Sequence, residues 1–304
     1  MDAQVIKAKI THYLQEANEG SPGMAEDIIE AAGERFKEVL SRAFNKDRRN
    51  FRVSMSNAGR PACQLVMERD GVQAEAKEAG FRMKMLIGDA VEIILRAVME
   101  ASGINIQESN KKVELKLDEY ITVLGELDWK IDGEVWDGKS SSKWAFENKW
   151  RSGFDYIEKH DDFGYCAQLY GYAEAEDAKA GGWIVVNKET GELDVVPAKD
   201  SPAKRKEHLQ KLTQTVYKVL DTQRPFTREF SDEPETFYGK ETGNRVLGFT
   251  CGWCDFKYSC WPGLKKKPAA KSKAKNPKMT YYTVYNEATI SEEQGKEAPE
   301  PSKG

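Results

Sequence analysis

The chain has 304 residues, with 46 Lys and Arg against 50 Asp and Glu, a formal net charge of -4 and 39% hydrophobic residues. That length suits one large domain or two small ones, and the near balance of charge excludes a polyanion-binding surface spread over the whole molecule; any nucleic-acid contact must be a local basic patch. No run of about 18 apolar residues occurs and MDAQVIKAKI lacks a signal peptide's apolar core, so the expected setting is the cytoplasm, with no membrane partner.

Residues 1–50 read as a helical segment of two helices, broken at Ser21-Pro22-Gly23, with Ile28, Ile29, Phe36, Val39 and Leu40 at helical spacing in the second. It carries no evident chemistry. A Gly59-Arg60-Pro61 turn then precedes Cys63, a lone cysteine whose ordinary role is that of a small buried hydrophobe. Phe81 to Ala101 is predicted helical, with Ile87, Ala90, Val91, Ile94 and Val98 as its apolar stripe and Gly88 and Glu92 one turn apart beside it.

Ile121 to Trp150 reads as two strands and a turn. Odd positions of the first strand carry Ile121, Val123, Leu127, Trp129 and Ile131, and even positions carry Glu126, Asp128, Lys130 and Asp132. Asp132-Gly133, Asp137-Gly138 and the Ser140-Ser141-Ser142 run supply turn and loop chemistry. The second strand is predicted over Trp144 to Trp150, with Glu147 and Lys149 on one face, so that a meander brings Asp128 near Glu147. Two carboxylates on one face are the usual protein share of a hard divalent cation site; a solvated sheet face is the alternative reading of the same alternation. A helix from about Tyr156 to Ala178 follows, with Cys166, Leu169, Tyr170 and Ala173 on one face and Tyr165, Gln168 and Tyr172 on another.

Three stretches in this order resemble the motifs of a known family. Gly125-Glu126-Leu127-Asp128, then Glu147-Asn148-Lys149, then Gln168-Leu169-Tyr170-Gly171-Tyr172 are similar to the GxxD, ExK and QLxxY motifs of the RecB-like branch of PD-(D/E)XK nucleases. The resemblance implies an α/β restriction-endonuclease-like core, a central mixed β-sheet flanked by helices. It implies Asp128 and Glu147 as ligands of Mg2+ or Mn2+, assisted by the backbone carbonyl of Asn148, with Lys149 acting on the attacking water and Gln168 and Tyr172 as positioning groups. The family's helical GxxxH pattern has Glu92 in place of histidine here, and a carboxylate is a competent oxygen ligand for such an ion.

Gly182–Asn187 and Leu193–Val196 are predicted to form a hairpin around Thr190-Gly191. A helix capped by Ser201-Pro202 runs to about Thr222 and buries Leu209, Leu212, Val216 and Val219. Cys251, Cys254 and Cys260 follow as C-x2-C-x5-C. With five cysteines in all, an odd count, metal or cluster ligation is favoured over a disulfide framework, and Cys63 is the candidate fourth ligand. One cysteine before the core and three after it resemble the iron-sulfur staple of AddB-type nuclease domains, which implies a 4Fe-4S cluster; structural zinc is the alternative. From Lys265 to Gly304 the chain reads as a disordered tail, first basic and then acidic.

The expected organisation is thus a helical segment over 1–50, a nuclease domain over 51–264 and a tail over 265–304. The expected activity is metal-dependent hydrolysis of DNA, as an exonuclease, in recombination, repair or phage DNA processing. Single-stranded DNA or DNA with free ends is the expected substrate, with a helicase or recombinase as a further partner in a bacterial or phage-infected cell. The other class of function is a catalytically inactive DNA-binding or helicase-partner module of the same fold.

Overall fold

The computed structural model describes the chain except residues 46–50, 224, 238, 270–274, 276, 278 and 287–304. It divides into two compact units, one of residues 1–65 and 77–223, the other of residues 66–76 and 224–304.

The first unit opens with α1 (Ala3–Asn18) and α2 (Glu26–Asn45), separated where the Ser-Pro-Gly break was expected. After α3 (Ala62–Arg69), the long helix α4 (Ala79–Ala101) leads into β1 (Ile106–Lys116), β2 (Thr122–Ile131) and β3 (Glu134–Ser141). Then come α5 (Lys143–Asn148), a single 3-10 turn at Trp150–Ser152, α6 (Phe154–Lys159), α7 (Tyr165–Ala175), β4 (Lys179–Asn187), β5 (Leu193–Pro197) and α8 (Pro202–Leu220). The sheet order is β1-β2-β3-β4-β5, antiparallel except for the β3–β4 pair. This is a mixed five-stranded sheet in an α/β unit, with an N-terminal helical segment.

Two apolar clusters cover the sheet. One joins Val123, Leu127, Val135, Trp183 and Val185 to Leu169, Tyr170 and Tyr172 of α7 and to Leu212 and Val216 of α8. The other joins Trp129, Ile131, Trp136, Ile184 and Val195 to Ile6, Ile10 and Tyr13 of α1 and to Leu95, Val98 and Met99 of α4. Leu127 and Trp129 therefore lie in different clusters although both are odd positions, so the predicted alternation breaks at Asp128. Opposite it on β1, between the Ser109–Trp129 and Lys111–Leu127 pairs, Asn110 has φ 49°. A left-handed residue kinks the strand there, and the kink re-aims a side chain as a bulge does.

Several predicted elements differ from the structure. Trp144–Trp150 is not a strand: Ser142 caps α5, its Oγ accepting from the Ala145 N–H at 3.3 Å, and Phe146 and Trp150 are buried one helical turn apart while Trp144 is 66% exposed. Asp137-Gly138 is not a turn but lies inside β3; the connection is the two-residue Asp132-Gly133 loop, with φ of 53° and 74°. The helix expected over 156–178 breaks at His160–Gly164, where the Asp161 carboxylate accepts from the N–H groups of Tyr165 and Cys166 at 2.7 and 2.8 Å and so starts α7. On α4 the buried side is set by Ile93, Leu95, Ala97, Val98 and Met99, and Ile87 and Ile94 of the predicted stripe are exposed.

The second unit is a four-stranded sheet ordered β6-β7-β9-β8, from β6 (Glu233–Phe237), β7 (Lys240–Val246), β8 (Lys265–Pro268) and β9 (Met279–Val284). Between β7 and β8 lie the short helices α9 (Phe249–Gly252) and α10 (Lys257–Cys260). Its buried apolar residues include Val66, Met67, Leu247, Phe256 and Tyr282, and the buried Lys257 ammonium pairs with Glu75. Residues 265–268 and 279–284, assigned by sequence to a disordered tail, are thus paired strands: β8 and β9 are registered from Lys265–Tyr282 to Pro268–Met279. Cross-strand pairing with the aromatic Tyr281 and Tyr282 outweighs the local charge of the lysine run. Lys271, Lys273, Lys278 and the acidic end lie outside the described residues. Among the described residues, no helix is long and apolar enough to cross a membrane.

Candidate active site

The β2–β3 ladder runs only from the Ile131–Glu134 pair to the Trp129–Trp136 pair. Continuing that register places Asp128 opposite Asp137. There the ladder gives way to a side chain: the Gly138 N–H donates to Asp128 Oδ2 at 2.7 Å. Two carboxylates consequently face one another where the strands part.

Asp137 is the more enclosed of the two, 1% exposed. Its carboxylate is ion-paired with the Lys139 ammonium, two residues along the same strand. Apart from that pair, neither of its oxygens has a hydrogen-bond partner among the described residues. Bare buried carboxylate oxygens are costly, and a cation is the usual remedy.

Burial, then the charges of Asp137 and Glu92, push the Asp128 carboxyl well above its ordinary range, against the opposing pull of Lys139 and the Gly138 N–H. Glu92, on α4, is likewise raised, first by burial and then by Asp137 and Asp89, while the Asn110 amide and Arg35 pull it down. Its Oε1 accepts from Asn110 Nδ2 at 2.9 Å, so the residue that kinks β1 also orients Glu92. For Lys139 the largest effect is burial, which lowers it, but Asp137 and Asp128 more than offset this and leave the ammonium above the ordinary lysine value. It is a fixed positive charge beside two mutually repelling carboxylates.

From α7, Gln168 Nε2 donates to the Tyr172 hydroxyl at 3.2 Å. The Tyr172 hydroxyl is raised by burial and also by the charges of Asp128 and Asp137, which sets it beside the carboxylates. Gly125 makes this possible: a Cβ there would meet Tyr172 Cε1 at 2.4 Å and Met55 Cε at 2.9 Å. Asp128, Glu92, Gln168 and Tyr172, all expected from sequence, are brought together.

Glu147, Asn148 and Lys149 are placed otherwise. Glu147 is exposed on α5, and the groups acting on Asp128 are Asp137, Glu92, Lys139 and Gly138. The Asn148 carbonyl accepts from the Ser152 hydroxyl at 3.1 Å. Lys149 caps α5 and donates to the His160 carbonyl at 3.0 Å. The acid-x-lysine pattern on the strand beside Asp128 is Asp137-Gly138-Lys139, whose Asp-Gly pair reads in sequence as turn chemistry. The usable signal was arithmetic: with Asp132-Gly133 as a two-residue loop, Asp128 and Asp137 are equidistant from it. Of the nearby cations, Lys130 is taken up by Glu176 at 3.4 Å and Arg151 by Glu192 at 2.9 Å.

Among the described residues, no group of three or more His, Cys, Asp or Glu side chains is arranged to hold a metal ion. The pair Asp128 and Asp137 nevertheless has the right donor chemistry for Mg2+ or Mn2+. Such ions take one or two carboxylates and complete their shell with water and substrate phosphate, and Asp137 offers two buried oxygens whose ion-pair partner is Lys139. In the second unit, burial and the neighbouring Cys260 and Cys254 push the Cys251 thiol up to about 11. The Phe256 N–H points at Cys254 Sγ at 3.4 Å, and burial raises the Cys260 thiol above its ordinary value against the opposing pull of the Arg228 guanidinium. The three thiols act on one another electrostatically without being arranged to hold a metal ion.

No family model matches the chain, and no curated protein matches it. A solved structure named "Crystal structure of SSO0001" is similar with a TM-score of 0.42 at 13% identity, covering 80% of this chain and 100% of the other. A likeness of that degree carries no inference about this chain.

Proposed function

We propose that this protein is a metal-dependent deoxyribonuclease of the PD-(D/E)XK, RecB-like type, acting on DNA ends. The observation that carries the reading is the facing pair of Asp128 and Asp137 on adjacent strands, with Lys139 ion-paired beside them. Asp128 and Asp137 would hold Mg2+ or Mn2+, with Glu92 on the α4 side. The bound ion would polarise a phosphodiester and lower the pKa of an attacking water. Lys139, ion-paired with Asp137, would place solvent and offset charge developing on phosphorus. Tyr172, held by Gln168, orients groups at the carboxylates from the helix side. Asp137 and Lys139 would take the roles that the family resemblance implies for Glu147 and Lys149.

The thiols of Cys251, Cys254 and Cys260 are proposed ligands of a 4Fe-4S cluster, with zinc as the alternative occupant. A cluster predicts a brown protein absorbing broadly near about 400 nm, lost in Cys260→Ser; a colourless, zinc-loaded protein would select the alternative.

Labelled linear and circular DNA, incubated with Mg2+ or Mn2+, tests the activity. The expected result is metal-dependent degradation of linear DNA by the wild type and none by Asp137→Asn. Metal-independent binding without cleavage would instead make the chain a DNA-binding module. A helicase or recombinase as partner, and a role in repair, recombination or phage DNA processing, follow only if cleavage is observed.

A further inference from the structure

Beside the carboxylates lies a cluster of rings and cations that the chemistry above leaves unused. The Lys149 ammonium is 4.7 Å from the centre of the Tyr165 ring and 5.7 Å from that of Phe163, and the two rings stack at 5.7 Å with 25° between their planes. Tyr165 is shared: the Lys139 ammonium lies 5.4 Å from its centre. One ring is thus flanked by the lysine of the site and by a second lysine, with a further ring beyond. Phe163 is 49% exposed.

The cluster is held in place. His160 anchors Lys149 through its carbonyl, and Asp161 is occupied in capping α7. Gly164, at φ 78°, closes the loop against Gly59; a Cβ on Gly164 would meet Gly59 backbone atoms at 2.4 to 2.8 Å. A large apolar ring is therefore presented to solvent from a pinned loop. Lys149 has spent one of its three donors on His160, and burial lowers its ammonium below the ordinary lysine value against the opposing charges of Asp161 and Asp162.

We infer that Phe163, Lys149 and Tyr165 form a subsite for one unpaired nucleotide of a DNA strand, next to the phosphate held at Lys139. Phe163 stacks the base and Lys149 holds the adjoining phosphate. Stacking on an exposed ring requires a base freed from its pair, whereas cations alone would accept any phosphate. The substrate class is accordingly a single strand or a frayed end, and the inference rests on the nuclease reading for its neighbour at Lys139.

The full chain in EDTA, titrated with a single-stranded oligonucleotide bearing 2-aminopurine at either terminus, tests the subsite apart from cleavage. The expected result is a change in 2-aminopurine emission with the wild type. Phe163→Ala abolishes it and weakens single-strand binding about tenfold, Phe163→Trp restores both, and affinity for blunt duplex is unchanged. Lys149→Ala weakens single-strand binding and Lys149→Arg rescues it. Unaltered emission and affinity in folded Phe163→Ala would overturn the subsite even if the enzyme cleaves DNA. A Phe163-dependent signal without metal-dependent cleavage would keep the subsite and sink the nuclease reading, and absence of both would remove both.

Discussion

Asp137 holds two buried oxygens with a single ammonium for company. Asp137→Asn keeps the shape and removes the charge, so cleavage should fall by at least about 100-fold, the loss seen when one preorganised electrostatic group is removed. Glu147→Gln, exposed on α5, should leave the rate near that of the wild type, and the two variants assayed side by side separate the structural assignment from the sequence one. Added Mg2+ should also stabilise the wild type by about 2.7 kcal/mol at a hundredfold excess over its Kd, read as a raised Tm, and should not do so in Asp137→Asn. Asp128, Glu92, Gln168 and Tyr172 were legible because each sits in a pattern that survives translation into structure. Asp137 was not, because Asp-Gly is strong turn chemistry and nothing local tells a turn from a strand that gives up its ladder to receive a side chain.

At the level of elements, packing decides between readings that spacing leaves equal. Ser142 to Trp150 alternates like a strand, yet a serine cap and the burial of Phe146 and Trp150 one turn apart make it helical. Trp144, Phe146, Asn148 and Trp150 satisfy a period of two on paper, and only the facing cluster shows which of them is inside. Contacts between α7 and β2 are equally exacting. Gly125→Ala would drive a Cβ into Tyr172 and Met55, and denaturant titration should show a loss of about 1–3 kcal/mol together with weakened cleavage. Between α6 and α8, Glu158 joins Lys204 at 2.6 Å and His208 at 2.8 Å, while His208 stacks on Tyr170 of α7. Burial raises the Glu158 carboxyl, but Lys204 and His208 outweigh it and leave it below the ordinary glutamate value. A depressed carboxylate contributes stability that is present above its unfolded value, about 4.3, and is lost as pH falls through the lower folded value. Glu158→Gln should therefore melt earlier than the wild type at pH 7, and the difference should close as the solution is taken below pH 4.

For the molecule as a whole, a net charge of -4 means that DNA affinity has to come from few contacts. Binding to single strands should weaken with salt along a shallow line, each phosphate contact contributing about 0.7 to its slope, and Lys149→Ala should flatten that line by one such increment. The mixed sheet and the two N-terminal helices were readable as a class from periodicity and breaks. The second sheet was not, since its strands are short and charged and its central pair, β7 with β9, joins residues 245–246 to residues 282–284. The first fifty residues looked in sequence like an appendage to a nuclease domain beginning near Phe51. In the fold, Ile6, Ile10 and Tyr13 lie against Trp129 and Trp136, and Arg35 of α2 reaches Glu126 at 2.8 Å. A fragment trimmed to start at Phe51 would bare two indoles behind the very strands that carry the acidic pair. The shortest version of this protein able to stand alone therefore includes its first helix, and attempts to isolate a smaller kernel around the five-stranded sheet should yield insoluble material.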